Sequence, residues 1–155
     1  MVSSVVVPPD CDARIGRILD YWRSIRPAED RLPGRQHVEP TDLAELLRWV
    51  WLVDVQREPL RFRYRLIGTG HREVVGADYT GRWIDEVLAD FPRMQEYADF
   101  LAVTQGEARH CRRVPEFPVG KKYVSMERLL LPLARDGVTV DMMLGLTVYT
   151  LSLIH

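Results

Sequence analysis

Cysteine is scarce in this sequence: Cys11 and Cys111 are the two, a hundred positions apart. That excludes a disulfide framework, and no CxxC or Cys/His spacing offers a zinc site. Two reduced thiols and a cytoplasmic location are the expectation. Long apolar runs are missing as well. Nothing approaches the roughly 18 residues that would mark a membrane span. The start, MVSSVVVPPD, lacks a basic segment and a cleavage site, so it does not read as a signal peptide. Neither sign of charge is in excess: 21 basic residues meet 22 acidic ones. A dedicated nucleic-acid binder would show a basic surplus, so no nucleic acid is expected as a partner.

Catalytic constellations are missing too. The histidines, His37, His71, His110 and His155, are scattered. Ser125 has no nucleophile-elbow sequence around it. The glycines of GTGHREVVG match neither GxGxxG nor a P-loop. Asp85-Glu86, Asp42 and Glu45 lie near helix starts, where the helix dipole accounts for them. No catalytic residue and no metal ligand is expected, and the chain reads as a non-enzyme.

What is there suits one globular domain with a core of its own. Residues 1–9 read as a flexible tail closed by Pro8-Pro9. Residues 10–48 read as a helical extension, and 49–155 as the core domain. In the extension, Ile15, Ile18, Leu19, Trp22 and Ile25 recur at helical spacing, with arginines mostly between them. PAEDRLPGRQHVEP follows as a polar linker, then a short helix from Pro40 to about Arg48. Trp49–Val55 is a dense apolar run. After a turn at Arg57-Glu58-Pro59, RFRYRL alternates strictly, placing Phe62, Tyr64 and Leu66 on one face and three arginines on the other. Short helical turns occupy HREVVGADYTGRWIDEVL. A longer helix is predicted from about Phe91 to Glu107, with Met94, Tyr97, Ala98 and Leu101 on its apolar side. Three strands are predicted last, at 108–115, 122–134 and 138–151, with an Asp136-Gly137 turn between the final two. The order gives an α+β fold: a five-stranded antiparallel sheet with helices on one face and an N-terminal helix extension.

Six segments carry a resemblance: LDYWRSIRP, RLPGRQHVEPTDL, WLVDV, RFRYRLIGTG, GADYTGRWIDEVL and LLLPLARDGVTVDMMLG. Together they span about residues 19–145. In this combination the chain resembles the short bacterial PAS family typical of alphaproteobacteria, usually a stand-alone domain without an attached kinase. The resemblance implies a PAS-like core, and signal sensing or protein contact as its role. Heme sensors of that fold usually take an axial histidine from the long helix. Here the predicted helix has none, and His110 lies past its end. The Asn-Cys-Arg-Phe motif of flavin photosensors is absent. No cofactor is expected.

In such a fold small molecules bind between the sheet and the short helices. The candidate pocket residues are therefore Phe62, Tyr64, Trp83, Tyr97, Phe100 and Leu101. The same aromatics would equally make a filled core. The strands Trp49–Val55 and Met142–Tyr149 are apolar on both faces, so something must cover the outer face. The stripe Ile15, Ile18, Leu19, Trp22 and Ile25 fits, either folded back on its own sheet or packed on a second subunit. A homodimer through that stripe is one expectation, and a charged residue at position 22 would then weaken the dimer or the fold. With the last strand near the final residue, any signal is expected to leave through a partner protein or through dimer geometry. Two functions remain: a ligand-responsive sensory module, and a ligand-free interaction module. A small α+β enzyme is a weaker third, disfavoured by the element order.

Overall fold

Asp12 starts the first helix, α1 (Ala13–Ser24), its carboxylate accepting the Arg14 amide at 2.9 Å. Two short strands follow, β1 (Val50–Gln56) and β2 (Arg61–Ile67). Then come helices α2 (Thr69–Val75), α3 (Ile84–Val87) and α4 (Gln95–Thr104). Strands β3 (Arg109–Arg113), β4 (Tyr123–Leu133) and β5 (Met142–Leu151) complete the chain. The computed structural model describes residues 7–114 and 123–151, with side chains at 7–114 and 125–150. Most of the expected tail (1–6), the first residue of the strand predicted at 122, and His155 lie outside the described residues.

The sheet is antiparallel throughout, in the order β2-β1-β5-β4-β3. Helices α2 to α4 lie on one face, called inner here. The N-terminal extension covers the other. Alternation sorts the strands cleanly between two cores. Trp51, Val53, Leu130 and Met143 turn inward to Phe62, Ile84, Phe91 and Phe100. Val50, Leu52, Leu129, Leu131, Leu144 and Leu146 turn outward to α1. Ile15, Ile18, Leu19 and Trp22 are at most 2 % exposed there, and Ile25 packs beside them. The stripe is thus seated on the chain's own sheet. The Trp22 indole N–H donates to the Pro132 carbonyl at 2.9 Å. Pro132 is tolerated mid-strand because β3 pairs with β4 only as far as Leu130, leaving that side of β4 without a ladder to break.

Four local expectations need correction. Strict alternation in β2 fails: Leu52 faces Leu66, but Val53 faces Tyr64, so Arg65 is an extra residue in a bulge. Leu66 consequently turns outward and is 40 % exposed, while Ile67 turns inward opposite Trp51. The long helix is shorter than predicted: a 3-10 turn at Phe91–Arg93 precedes α4, which ends at Thr104. It also buries a different side, Glu96, Asp99, Phe100 and Val103, leaving Ala98 exposed. The linker is not merely polar: Leu32 and Val38 enter the outer core, and its backbone bonds to the β4–β5 loop at Ala134 and Gly137. The helix expected at 40–48 is two 3-10 turns, Pro40–Leu43 and Leu47–Trp49.

Candidate functional site

A cavity of about 70 Å³ lies between the inner sheet face and helices α2 to α4. Trp51, Ile67, Val75 and Leu88 supply apolar wall, and Tyr64, His71, Tyr79, Glu96 and Thr147 supply polar groups. Local sequence explains how several of these arrive. The bulge at Arg65 swings Ile67 inward. Gly68 then leads into α2, which carries His71 and Val75 to the wall. Gly76, with φ 86°, ends α2 in the left-handed conformation that glycine adopts freely, turning Ala77 back toward the cavity. On the sheet side Gly145 faces Trp51 across β1 and β5, and a Cβ there would overlap the indole. The absent side chain lets Trp51 lie flat against β5.

Trp51 is fixed at its other end, its N–H donating to the Thr147 hydroxyl at 2.9 Å. His71 lies nearly parallel to Trp51, with centroids 6.0 Å apart, and shares a hydrogen bond with the Tyr149 hydroxyl at 2.8 Å. Burial, reinforced by the charge of Arg128, pushes the His71 imidazole down to about 4. Burial also pushes the Tyr64 phenol up, with the Glu96 charge adding to it. Both groups are neutral at physiological pH.

Beneath the cavity sits a buried charge cluster. Arg128 on β4 is 1 % exposed and pairs with Asp99 at 2.6 Å and Glu96 at 3.1 Å, both on α4. Asp99 also holds Arg113 of the edge strand β3, at 2.7 Å. This cluster explains why α4 buries an acidic side: its carboxylates meet a guanidinium rising from the sheet. Among the described residues no group of three His, Cys, Asp or Glu side chains is gathered as for a metal ion, and no helix is long and apolar enough to cross a membrane.

Most of the chain that builds this sheet and cavity has a counterpart among known families. A family model described as "PAS domain" matches residues 13–148. The chain belongs to the PAS domain family. The match includes α1, so the N-terminal helix is part of the family's pattern. No curated protein matches the chain. PAS domains are generally sensory or interaction modules, and membership supports a role of that kind for this chain.

Within this PAS domain the six predicted pocket residues divide. Tyr64 lines the cavity. Phe62 and Phe100 belong to the inner core, where they meet edge-to-face with centroids 5.1 Å apart. Tyr97 packs on that core against Phe62 and Phe91. Trp83 is half-buried outside the cavity, with the Arg61 and Arg63 guanidiniums 4.2 and 5.3 Å from its ring. Leu101 is partly buried on α4, away from the wall. The basic stripe on β2 is paired: Arg61 with Asp85, and Arg63 and Arg65 with Asp54. His110 turns to the outer face, against Glu127 at 2.6 Å, on the side of the sheet opposite the cavity. Cavity residues that sequence reasoning passed over are Trp51, His71, Glu96 and Thr147. Trp51 and Thr147 were readable as inward positions of strands apolar on both faces. His71 and Glu96 gave no such signal.

His71 makes a pH prediction. Its folded pKa, about 4, lies below the ordinary 6.5. Above pH 6.5 neither the folded nor the unfolded imidazole holds the proton, and stability is full. As pH falls toward 4 the unfolded chain gains a proton that the folded chain refuses, and stability drops by about 3 kcal/mol over that window. Urea denaturation at a series of pH values should show this fall, and His71→Gln should flatten it between pH 6.5 and 4.

Proposed function

We propose that this PAS domain senses a small molecule held in the cavity between its sheet and α2 to α4, and passes the event on through protein contacts. The observation that carries this reading is the meeting of apolar wall and polar groups at one buried place, with Tyr64, His71 and Glu96 brought there by three different elements. The Glu96 wall residue gives occupancy a route outward, because Glu96 shares Arg128 with Asp99, and Asp99 holds Arg113 on the edge strand. Native mass spectrometry of the purified chain, with a thermal-shift panel of metabolites, tests the proposal. A retained molecule, or a stabilising metabolite lost on filling the cavity with Ala77→Phe, is expected. A clean apo mass with no shift across the panel would sink it.

One observation favours the second reading, a ligand-free interaction module. The inner aromatics Phe62, Phe91 and Phe100 pack edge-to-face on one another between sheet and helices, contacts that call for no ligand. The same apo result would support it. A second copy of the chain remains one proposed partner. Since Ile15, Ile18, Leu19 and Trp22 are buried on their own sheet, a dimer built on that stripe would have to exchange helices between copies. Light scattering that gives a strict monomer at high concentration would remove it.

A further inference from the structure

The outer sheet face carries a second hollow, across the sheet from the cavity. A groove of about 610 Å³ opens over outward residues of β2, β1 and β5, three neighbouring strands. Strand register fixes what faces it. Leu66 stands opposite Leu52, and Asp54 opposite Met142, all on the outer side. Leu52 is buried, but Leu66 is 40 % exposed, an apolar side chain that α1 leaves uncovered. The facing wall is made by the linker turn at Arg35 and by the β4–β5 loop at Arg135 and Asp141. Turn and loop are tied together. The Gln36 side-chain amide donates to the Arg135 carbonyl at 3.0 Å, and the Ala134 amide donates to the Pro33 carbonyl at 2.8 Å. The groove therefore stands formed before a partner arrives, which lowers the ordering cost of binding.

Its charge is uneven. Three guanidiniums, Arg35, Arg65 and Arg135, line it against two carboxylates, Asp54 and Asp141. Asp54 is already shared, by Arg65 at 3.1 Å and Arg63 at 3.3 Å. Arg35 donates to the Val38 carbonyl at 2.9 Å, and among the described residues neither Arg35 nor Arg135 has a carboxylate partner. Cations thus stand on both sides of an apolar strip. Arg65 is on β2 and Arg135 lies beyond β5, with β1 between those strands. At the usual strand spacing that sets the two sides about 10 Å apart. Carboxylates answering both sides suit acidic residues a few positions apart in one chain, not a single compact anion. The two carboxylates in the groove disfavour a phosphate backbone.

We propose that this groove docks an acidic segment of a partner protein. An aliphatic side chain of that segment seats against Leu52, Leu66 and Met142, and flanking carboxylates are answered by Arg35 and Arg135. The surface lies on the opposite side of the sheet from the cavity, so the proposal holds whether or not the cavity takes a ligand.

Fluorescence anisotropy of the folded chain with labelled octapeptides, leucine moved along a run of glutamates, tests it. The tightest of these should bind about tenfold tighter than its counterpart with serine for leucine. Its counterpart with lysine for glutamate should not bind. Arg35→Gln combined with Arg135→Gln should weaken the acidic peptide about fivefold and leave the urea midpoint nearly unchanged, since both side chains are at the surface. Leu66→Ser should weaken the leucine peptide and not the serine one. Equal binding of leucine and serine peptides would overturn the proposal in favour of plain charge attraction. Binding indifferent to the double variant and to Leu66→Ser would overturn it by placing the peptide elsewhere. Displacement of the peptide by sub-millimolar citrate would overturn it in favour of a small acid. Self-association in sedimentation, lost in the double variant, would overturn it in favour of a second copy. No binding of any acidic peptide at millimolar concentration would overturn it too, while the cavity reading stands or falls on the retained-molecule measurement.

Discussion

Replacing Arg128 with Met should destabilise the fold by about 3–5 kcal/mol, the usual result of removing one partner from a buried ion pair. The side chain is 1 % exposed, and it answers two carboxylates that are themselves nearly covered. Without it Glu96 and Asp99 would lose their shared guanidinium in a dry interior, while Arg113 would still pair with Asp99. The effect should appear as a lowered urea midpoint with an unchanged slope. The cluster is not a large net source of stability, since two of the Arg128 nitrogens, Nε and Nη1, are buried without a hydrogen bond among the described residues. Arg128→Met combined with Glu96→Gln and Asp99→Asn should therefore recover much of the loss. A loss under about 1 kcal/mol for Arg128→Met alone would mean that the carboxylates reach water or take up protons.

Trp22→Ala should cost a similar amount, about 3–5 kcal/mol, for a different reason. Trp22 is 2 % exposed in the outer core, and its indole N–H ties α1 to the Pro132 carbonyl. Truncation would leave both a void and an unsatisfied acceptor. Trp22→Phe keeps most of the apolar contact and loses the donor, so it should lose less, about 1–3 kcal/mol. Chemical denaturation gives the sizes, and size-exclusion chromatography gives the meaning. A Trp22→Ala chain that stays fully stable but changes its oligomeric state would show that the stripe works between copies and not within one.

Periodicity carried most of the fold. The α1 stripe at 15, 18, 19, 22 and 25, and the strands apolar on both faces, together imply a sheet covered on two sides, and that is the arrangement found. What escaped was whatever depends on a distant partner. Glu96 and Asp99 look like the solvent side of a helix until Arg128, 29 residues beyond Asp99, is seen beneath them. His71 looks like any loop histidine until Trp51 and Tyr149 close on it. The aromatics were legible as inward-facing, but which of them fill space and which border it depends on packing that no spacing encodes. Phe62 and Phe100 fill it; Tyr64 and Trp51 border it. The bulge left no mark, because RFRYRLI alternates as well with an extra residue as without one.

That extra residue makes β2 tolerant of one particular deletion. In most strands the removal of one residue inside the ladder turns every residue beyond it to the opposite face. Here Arg65 already stands outside the pairing, between Tyr64 opposite Val53 and Leu66 opposite Leu52. Excising it would leave a regular ladder with Leu66 still outward and Ile67 still inward. Only one residue, Gly68, separates the strand from α2, so α2 would leave from the same side of the sheet and His71 would still reach the cavity wall. A lineage carrying the domain could lose this one position between Tyr64 and Leu66 more easily than any paired neighbour.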